Sequence, residues 1–418
     1  MMAALSARDA QPERVLADLR ELAALTGGPD GARRVCWTGE WEKARQWELR
    51  KLSRIPSCTT AIDEAGNLWA TIPGARPDVV VVGSHIDSVP HGGWLDGCLG
   101  VITAMEVLRR YEDVTPPVTL RLVDWADEEG SRFGRSLLGS TAAAGRLVPD
   151  EVRGLKDRDG ITLPDALAAC GVDLDGMGAA NSRLEEVRAY LELHIEQGPV
   201  LEQLGLPLGA VQGTFGVERH VIRFQGSTSH AGSTPMHLRH DAFLSAARLA
   251  LEARDIAKRY GGVTTTGSVV CEPGIVTAIA GTCTLLLDQR ALDADALAAM
   301  WAAVQAAAGR IAAEEGTTVG WEPLFQIEPI PFNPTLIGFA EQAIREVAGT
   351  AHALPSGPLH DAAVMARIVP TTMMFCSSIN GISHSALEDT PEEHLMLAVR
   401  AFNGLADRTI AWVAAGQK

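Results

Sequence analysis

The sequence predicts an α/β protein with two domains, one of which is inserted into the other. Three observations lead to this class. At 418 residues the chain is too long for one ordinary hydrophobic core. Several apolar, strand-like runs end in polar residues, which is where open α/β sheets place their functional side chains. Near residue 208 the near-continuous apolar runs give way to an alternating strand pattern and alanine-rich helices, and the earlier pattern returns near residue 326, which indicates an inserted module.

The larger domain is expected to comprise residues 1–208 and 326–418. It begins with an amphipathic helix over 12–25, which has leucines along one side, and a second helix over 41–52. Three near-continuous apolar strands follow, and a helical stretch between the first two predicts a strand–helix–strand unit in a sheet covered on both faces. The strands span 78–83, 118–125 and 188–193, the helical stretch spans 100–111, and a helix at 334–347 and an apolar run at 370–375 return to this domain.

The smaller domain, residues 209–325, is expected to be an α+β module. Residues 217–225 alternate apolar and polar side chains like a half-exposed strand, and residues 275–290 also resemble a strand. Two helices are predicted, one in the alanine-rich segment 241–258 and one over 294–314. These four elements alone do not show what the module does.

Composition excludes several classes of partner. The net charge of −16 argues against nucleic acid or an anionic membrane. The first 20 residues carry charges throughout and predict no signal peptide, and the absence of an apolar run of 18 residues predicts no membrane span. Seven scattered cysteines without a CxxC pair are typical of reduced thiols, so a cytoplasmic location is expected.

The segment 79–101, VVVVGSHIDSVPHGGWLDGCLGV, is the most informative part of the chain. Its four valines predict a buried strand that ends near His85, and Asp96 follows in a glycine-rich loop. An imidazole and a carboxylate delivered to the end of a strand indicate a metal site. Other apolar runs and Gly-containing loops supply further ligands, so that the full set of candidates is His85, Asp96, Glu129, His194 and His384.

Five such ligands are enough for two metal ions if one carboxylate bridges them, and Asp96 is the natural bridge. Asp87, two residues after His85, is a candidate to hold the second nitrogen of that imidazole. In the pair Glu128–Glu129, one carboxylate would bind metal while the other acts as general base on water. Taken singly, each of these residues is more often structural. Their joint occurrence, always after an apolar run or in a Gly-containing loop, favours a two-metal site.

A resemblance to a known family supports this interpretation. The blocks that carry it are GSHIDSVPHGGWLDGCLGV, DEEGSRFG, LELHIEQGPVLE, STSHAGSTPM, PSGPLHDA and GISHSALE. They are similar to signature blocks of the hydantoinase/carbamoylase amidases, a branch of the M20 metallopeptidase superfamily that includes N-carbamoyl-L-amino-acid hydrolases, β-ureidopropionases and allantoate amidohydrolases. The resemblance covers roughly residues 15–410. It implies a catalytic α/β domain with a mixed central sheet, a smaller lid domain that also dimerises, and hence a homodimer.

The resemblance also implies roles for individual residues. The five candidate ligands match the metal positions of the family and imply two divalent ions per subunit, Zn²⁺ or Mn²⁺, with Co²⁺ and Ni²⁺ also compatible. Glu128 matches the general base, and Asp87 matches the residue that orients His85. His230 is expected to stabilise an oxyanion, and Arg290 to bind the substrate carboxylate. The complete set of positions that match substrate contacts is Gln197, His230, Thr277, Arg290 and His360.

By this resemblance the protein is expected to hydrolyse a linear amide, in the first place the ureido group of an N-carbamoyl-L-amino acid, to give the amino acid, carbon dioxide and ammonia. Two alternatives stay open: an allantoate or ureidoglycine-type amidohydrolase, and an N-acyl-amino-acid amidase. Two departures from the family pattern keep the amidase open, Thr277 in place of an asparagine and Pro358-Leu359 in place of a smaller Ala-Gly pair. A non-catalytic relative is disfavoured, because all five ligands and Glu128 are present.

Overall fold

The computed structural model describes residues 7–416 and confirms an α/β fold with a mixed central sheet. The chain divides into two compact units, one formed by the chain up to Gln212 and from Phe332 onward, the other by Gly213–Pro331. These boundaries lie a few residues beyond the predicted ones. That the second unit acts as a lid and in dimerisation remains a prediction. The expectation that there is no signal peptide rests in part on residues 1–6, which lie outside the described residues.

The helices of residues 7–416 are α1 (Pro12–Thr26), α2 (Gly39–Leu52), α3 (Cys98–Arg109), α4 (Leu138–Ala143), α5 (Pro149–Val152), α6 (Leu163–Ala169), α7 (Val200–Leu204), α8 (Ala242–Arg259), α9 (Ala294–Glu315), α10 (Pro334–Ala348), α11 (Asp361–Met365) and α12 (Glu392–Ala414). The strands are β1 (Gly27–Gly28), β2 (Gly31–Ala32), β3 (Thr59–Ile62), β4 (Leu68–Ile72), β5 (Val79–His85), β6 (Thr119–Trp125), β7 (Val187–Ile195), β8 (Leu208–Thr214), β9 (Gly216–Gln225), β10 (Val263–Glu272), β11 (Thr282–Ala291), β12 (Thr318–Ile327), β13 (Ile330–Pro331), β14 (Ala353–Ser356) and β15 (Thr371–Cys376). Short 3₁₀ turns lie at Met177–Leu184, Met236–Leu238 and Ile379–Gly381.

The large sheet has a parallel middle and antiparallel edges. Its strands lie in the order β13-β8-β15-β7-β5-β6-β4-β3, and β14 pairs with β8. The middle strands β15, β7, β5 and β6 run parallel, whereas β8, β4 and β3 pair antiparallel with their neighbours. The predicted strand–helix–strand unit is confirmed, because β5 and β6 are adjacent and parallel and α3, which connects them, packs on both.

Burial on both faces explains the apolar composition of the parallel strands. The four valines of β5, residues 79–82, are at most 1% exposed. α3 is buried along its whole length and packs against β5, β6 and β7. α12 also packs against this sheet and buries Leu395, Val399 and Phe402, and this helix is not among the predicted ones. The core therefore lies between the sheet and its covering helices.

The second unit has a four-stranded antiparallel sheet in the order β10-β11-β9-β12. The alternation predicted for β9 is confirmed, since Ile222 and Phe224 are fully buried whereas Arg223 is exposed. α8 and α9 pack on this sheet and enclose a separate hydrophobic core. Within residues 7–416 one helix, α9, is long and apolar enough to cross a membrane. Its buried side chains, among them Met300 and Val304, belong to the core of this unit.

One predicted strand is wrong in its first part. Residues 275–281 form a loop, and β11 begins only at Thr282. The preceding Pro273 has no N–H to donate to a neighbouring strand, and Gly274 has a φ of +67° that breaks the extended backbone. The edge strands β10 and β12 are not predicted, because most of their side chains are exposed and they lack apolar alternation.

Candidate metal centre

Parallel strands bring several of the predicted ligands to one edge of the large sheet. β5 ends at His85, and β7 carries His194 just before its last residue. His85 is the register partner of Trp125, the last residue of β6, and the pair Glu128–Glu129 follows that strand. Neighbouring parallel strands end at the same edge, so these side chains meet there.

Two loops deliver the remaining candidate ligands. Asp96 immediately precedes Gly97, the N-cap of α3, which has a φ of +65°. A Cβ at Gly97 would lie 2.3 Å from the carbonyl oxygen of His85, so this close approach requires glycine. His384 follows the turn Ile379–Gly381 and itself has a φ of +55°, a strained conformation for a residue with a side chain.

The five side chains form two overlapping groups that share Asp96. The ligand atoms of His85, Asp96 and His194 all lie within 4.8 Å of one another, and so do those of Asp96, Glu129 and His384. Oδ1 of Asp96 is 3.1 Å from Nε2 of His194 and 3.6 Å from Nε2 of His85. Oδ2 of Asp96 is 3.3 Å from Nε2 of His384, which is 3.4 Å from Oε2 of Glu129. Each oxygen of Asp96 thus faces one group, as a bridging carboxylate requires.

The orientation of two histidines suits metal binding through Nε2. Nδ1 of His85 lies 3.1 Å from the carbonyl oxygen of Asp87, and Nδ1 of His194 lies 2.9 Å from the carbonyl oxygen of Ile195. A carbonyl oxygen only accepts hydrogen bonds, so Nδ1 carries the proton in each ring and Nε2 carries the lone pair. The carboxylate of Asp87 is farther from Nδ1 of His85, at 3.5 Å, so the carbonyl of Asp87 is the nearer partner of that ring.

The carboxylate of Asp87 holds the segment that carries the two glutamates. Its Oδ1 accepts a hydrogen bond from the N–H of Glu128 and its Oδ2 from the N–H of Glu129, each at 3.2 Å. Oε2 of Glu128 lies 3.7 Å from Nε2 of His85, but Glu128 belongs to neither group of ligands. Glu128 therefore lies beside the candidate centre with a carboxylate that is suited to proton transfer.

Buried negative charge dominates the electrostatics of this centre. Burial raises the pKa of Glu128 well above its usual value, and burial together with the charge of Asp96 raises the pKa of Glu129 to about 7. Burial opposes ionisation of Asp96 as well, but hydrogen bonds with His194 and His384 outweigh it and hold the pKa of Asp96 well below its usual range. Carboxylates packed at this density are stable as anions only beside positive charge.

The donor set fits divalent cations. It consists of imidazole nitrogens and carboxylate oxygens, which zinc and manganese both accept. His85, Asp96 and His194 are at most 3% exposed, so that this group of ligands is shielded from bulk water, whereas the side chain of His384 is 52% exposed. Three protein donors in each group leave coordination positions for water or substrate. Donors of these types do not select one metal among zinc, manganese, cobalt and nickel.

Two of the predicted substrate contacts lie against the same centre. Gln197 has a φ of +56°, and its Nε2 donates to Oδ2 of Asp96 at 2.9 Å and to the hydroxyl of Ser383 at 3.1 Å. The ring of His360 is buried, with its centroid 4.4 Å from that of His194. Burial and the neighbouring His194 lower the pKa of His360 well below its usual value, so this ring is neutral. Contact of either side chain with substrate remains a prediction.

The structure adds one residue that the sequence pattern does not indicate, Glu388. Its buried carboxylate accepts hydrogen bonds from the N–H of Leu95 at 3.1 Å and of Asp96 at 3.0 Å. Its other oxygen accepts from the hydroxyl of Ser383 at 2.8 Å, immediately before His384. One carboxylate thus ties together two loops that carry candidate ligands. Its place in the GISHSALE block gives no sign of a partner 292 residues away.

In the second unit, His230 lies exposed in the loop after β9. Its Nδ1 accepts hydrogen bonds from the N–H of Gly232 at 3.1 Å and of Ser233 at 3.2 Å. Nδ1 is therefore unprotonated, and the proton of the neutral ring is on Nε2. A ring in this form can donate a hydrogen bond through Nε2, as the predicted oxyanion role requires.

Thr277 and Arg290 belong to the loop before β11 and to β11 itself. Thr277 is exposed, and its carbonyl oxygen accepts a hydrogen bond from the N–H of Ala231 at 2.9 Å. Nε of Arg290 donates to Oδ1 of Asp288 at 2.9 Å, and Nε of Arg219 donates to the other oxygen at 2.8 Å. Both arginines therefore contact the carboxylate of Asp288. This arrangement is compatible with the predicted role of Arg290.

Comparison with known proteins extends these observations. The model of the Peptidase family M20/M25/M40 matches residues 81–408. N-carbamoyl-L-amino acid amidohydrolase of Geobacillus stearothermophilus is 36% identical over 389 residues, which cover 92% of this chain and 95% of that protein. Allantoate amidohydrolase of Escherichia coli (strain K12) is 34% identical over 366 residues, 86% and 88% of the two chains. The crystal structure of a hydantoinase/carbamoylase family amidase from Burkholderia ambifaria has a TM-score of 0.84 at 31% identity and covers 96% of this chain and 98% of its own.

Fold, site and relatives together define the class of protein, a metal-dependent hydrolase. More narrowly, the chain belongs to the peptidase family M20/M25/M40, and the resemblance to the hydantoinase/carbamoylase amidases is confirmed.

Proposed function

We propose that this protein is an amidohydrolase that cleaves the ureido group of an N-carbamoyl-L-amino acid and releases the amino acid, carbon dioxide and ammonia. The observation that carries the proposal is the sharing of Asp96 by two groups of ligands, with Glu128 beside them and in neither group. Two divalent cations, Zn²⁺ or Mn²⁺ with Co²⁺ or Ni²⁺ as substitutes, would be held by His85, Asp96 and His194 and by Asp96, Glu129 and His384.

When bound, these cations would activate water and polarise the carbonyl group of the substrate. The groups of the protein would move the protons. Glu128 takes a proton from the attacking water and passes it to the leaving nitrogen. Burial raises the pKa of Glu128, so its carboxyl group can hold that proton between the two transfers. The hydrogen bond from its N–H to Asp87 fixes the position of this base.

The same proposal assigns the residues that would contact substrate. His230, with its proton on Nε2, donates to the oxyanion that develops on the ureido carbonyl. Arg290 binds the α-carboxylate, and Thr277 offers a hydroxyl group. Gln197 and His360 are the proposed contacts of the first unit.

The relatives support this substrate class and also favour a second candidate. One relative at 36% identity is named N-carbamoyl-L-amino acid amidohydrolase and another at 34% is named allantoate amidohydrolase. Both substrates carry a ureido group next to a carboxylate, so the same base and arginine could serve either. An N-acyl-amino-acid amidase is the third candidate, supported by the altered pocket residues Thr277 and Pro358-Leu359.

Ammonia release distinguishes these substrates. Protein loaded with Mn²⁺ or Zn²⁺ is incubated with N-carbamoyl-L- and D-amino acids, allantoate and N-acetyl-L-amino acids, and ammonia and amino acid are measured separately. N-carbamoyl-L-amino acids are expected to yield ammonia and amino acid in equal amounts. Amino acid without ammonia would identify an acyl amidase instead, and failure to turn over any substrate would contradict the proposal. Glu128→Gln controls for contaminating activity.

The proposal includes assembly and location. We propose a homodimer that acts in the cytoplasm on a small molecule, without a nucleic-acid or membrane partner. The free state of the seven cysteines supports the cytoplasmic location, and the net charge of −16 supports the absence of a nucleic-acid or membrane partner. Sedimentation velocity over a range of protein concentrations tests the assembly, and a monomer at every concentration would contradict it.

A further inference from the structure

Two cysteines of the second unit, Cys271 and Cys283, face each other across neighbouring strands and are here called the thiol pair. They are direct register partners in the antiparallel pair β10–β11, and their sulfur atoms are 3.2 Å apart. Residues directly opposite in such a pair lie on the same face of the sheet. A disulfide has an S–S distance of about 2.05 Å. Small rotations of the two side chains would therefore bring the sulfurs to bonding distance.

The two thiols differ in access to solvent. Cys283 is fully buried, whereas Cys271 is partly exposed and lines a surface cavity of about 310 Å³ together with Arg239, Asp241 and Phe243. A small reagent in this cavity reaches the sulfur of Cys271 first. Burial raises the pKa of Cys283 to about 12, and the adjacent Cys271 adds to that effect. Cys283 is therefore a protonated, shielded partner that would react second.

The thiol pair closes the base of the loop that carries Thr277. This loop, residues 273–281, connects β10 to β11. Its backbone also supports the segment around His230, because the N–H of Ala231 donates to the carbonyl of Thr277 at 2.9 Å. A bond between the two sulfurs would restrict the loop by fixing its ends.

We propose that the thiol pair is a site of reversible oxidation by low-molecular-weight disulfides such as glutathione disulfide. The thiolate of Cys271 attacks one sulfur of the reagent, forms a mixed disulfide and releases one thiolate. Cys283 then gives up its proton and attacks the sulfur of Cys271, which closes the intramolecular bond and releases the second thiolate. In total the two protein thiols give up two electrons and two protons, and the reagent is reduced to two thiols. This inference is independent of the substrate of the protein.

Peptide mapping after oxidation tests the proposal. The full-length protein is equilibrated with glutathione disulfide, remaining thiols are alkylated, and peptides are identified by mass spectrometry. We expect the loss of two of the seven free thiols, a cross-link between residues 271 and 283, and recovery of both thiols with dithiothreitol. A cross-link between other cysteines, or free thiols at 271 and 283 after equilibration, would overturn the proposal.

Single variants test the order of the two steps. Cys283→Ser is expected to stop at a glutathione adduct on Cys271, whereas Cys271→Ser is expected to take up no adduct at Cys283. Cys58→Ser, which alters a partly exposed cysteine of the first unit, is the matched control and should still form the cross-link. An adduct on Cys283 in the Cys271→Ser variant would refute the order of reaction.

Hydrogen exchange tests the consequence for the loop. In the wild-type protein, the amides of residues 274–281 are expected to exchange more slowly after oxidation than before it. The amides of α12, in the other unit, serve as the internal reference. Unchanged exchange in the oxidised loop would overturn its restriction by the new bond.

Discussion

Glu128 and Glu129 are neighbours of the same type in different environments. Glu129 belongs to a group of candidate ligands, whereas Glu128 lies 3.7 Å from His85 and outside both groups. The backbone separates them, because Asp127 has a φ of +60° and the N–H groups of both glutamates are bound by the two oxygens of Asp87. The proposed base and the candidate ligand are thus held by one short, strained turn.

Glu128→Gln tests the assignment of the base. The amide keeps the shape of the side chain but cannot accept a proton, so kcat is expected to fall by roughly 10²- to 10⁴-fold. Metal content per subunit, measured by elemental analysis, should stay at the wild-type value. Glu129→Gln is the matched control and should lose metal. Loss of metal from Glu128→Gln, or a nearly unchanged kcat, would contradict the assignment.

Glu388→Ala tests how the two ligand loops are held. Removing the carboxylate leaves the N–H groups of Leu95 and Asp96 without their acceptor, so affinity for Mn²⁺ is expected to fall by about 10- to 100-fold. Glu388→Gln retains an acceptor oxygen and should lose less. Titration calorimetry of the metal-free protein measures both, and Glu393→Gln, an exposed glutamate on α12, is the control. Wild-type affinity in the alanine variant would rule out this role.

At the residue scale, a site residue can be predicted from the sequence when it lies at the end of an apolar strand and not when its contacts are with a distant loop. His85 and His194 lie at strand ends, a position that apolar runs reveal, and the structure brings both to Asp96. Glu388 contacts backbone amides of a distant loop, and no local pattern marks such a contact. The ring nitrogen by which each histidine would bind metal also depends on carbonyl groups that only the folded chain brings near.

The turn into α3 shows how an element depends on one residue, and Gly97→Ala tests it. The new Cβ would lie 2.3 Å from the carbonyl oxygen of His85 at a φ of +65°. With a φ of +65° and a ψ of −43°, Gly97 lies outside the left-handed helical region, so its backbone conformation should cost alanine more than the about 1–2 kcal/mol of that region. The steric contact should add to this and weaken metal binding, because His85 must move.

Gly205→Ala is the control for Gly97→Ala. Gly205 has a φ of +67° and a ψ of 30°, and no atom lies within 4 Å of its added Cβ, so this variant reports the backbone cost of the left-handed helical conformation alone. Urea unfolding of the metal-free proteins measures both variants. Equal losses of stability would refute the steric argument.

At the element scale, buried strands are predictable and exposed edge strands are not. β5, β6 and β7 are apolar because helices cover them, and their predicted positions are confirmed to within about two residues. β10 and β12 owe their conformation to pairing with the central strands β11 and β9, and their own side chains are mostly exposed. Pairing across a sheet leaves no periodicity in the paired segment itself.

The stability of the whole molecule depends on pH through a buried acid that the proposed chemistry does not use. Glu48 of α2 is fully buried near Asp124 and Arg45. Burial, with the charge of Asp124 added, raises its pKa well above the usual value despite the opposing charge of Arg45. The folded state therefore keeps this proton at a pH where the unfolded chain releases it. The stability that it contributes is complete below the unfolded pKa of about 4.3 and is lost as pH rises toward the folded value.

Glu48→Gln tests this coupling. The amide cannot ionise, so the variant should gain stability relative to wild type as pH rises from 5 to 8, by at most about 1.4 kcal/mol per pH unit. Guanidinium unfolding of both proteins in the presence of a chelator measures the difference at each pH. Glu42→Gln, an exposed glutamate on the same helix, should show no such trend. A difference that is the same at pH 5 and pH 8 would refute the coupling.

For the whole molecule, the class of fold is predictable because it follows from long apolar runs and from a change in the pattern of apolar residues along the chain. The division into two units falls at Gln212 and Phe332, slightly beyond the predicted positions, because β8 extends across the first predicted boundary and β13 begins only after the second. The substrate is less predictable, since it depends on a few exposed side chains such as Thr277 and His230. Such residues contribute little to the core, so no apolar periodicity in the sequence marks their positions.

The carboxylate of Asp96 makes the proposed centre vulnerable at one position. Exchanging His194 or His384 would remove a donor from one cation only, whereas exchanging Asp96 would impair both at once. No redundancy elsewhere in the cluster could compensate, because no other side chain belongs to both groups that the structure describes. Substitution of Asp96 would therefore resemble the simultaneous loss of two ligands. Protein with a single bound cation should be most common when one of the other four candidate ligands is substituted.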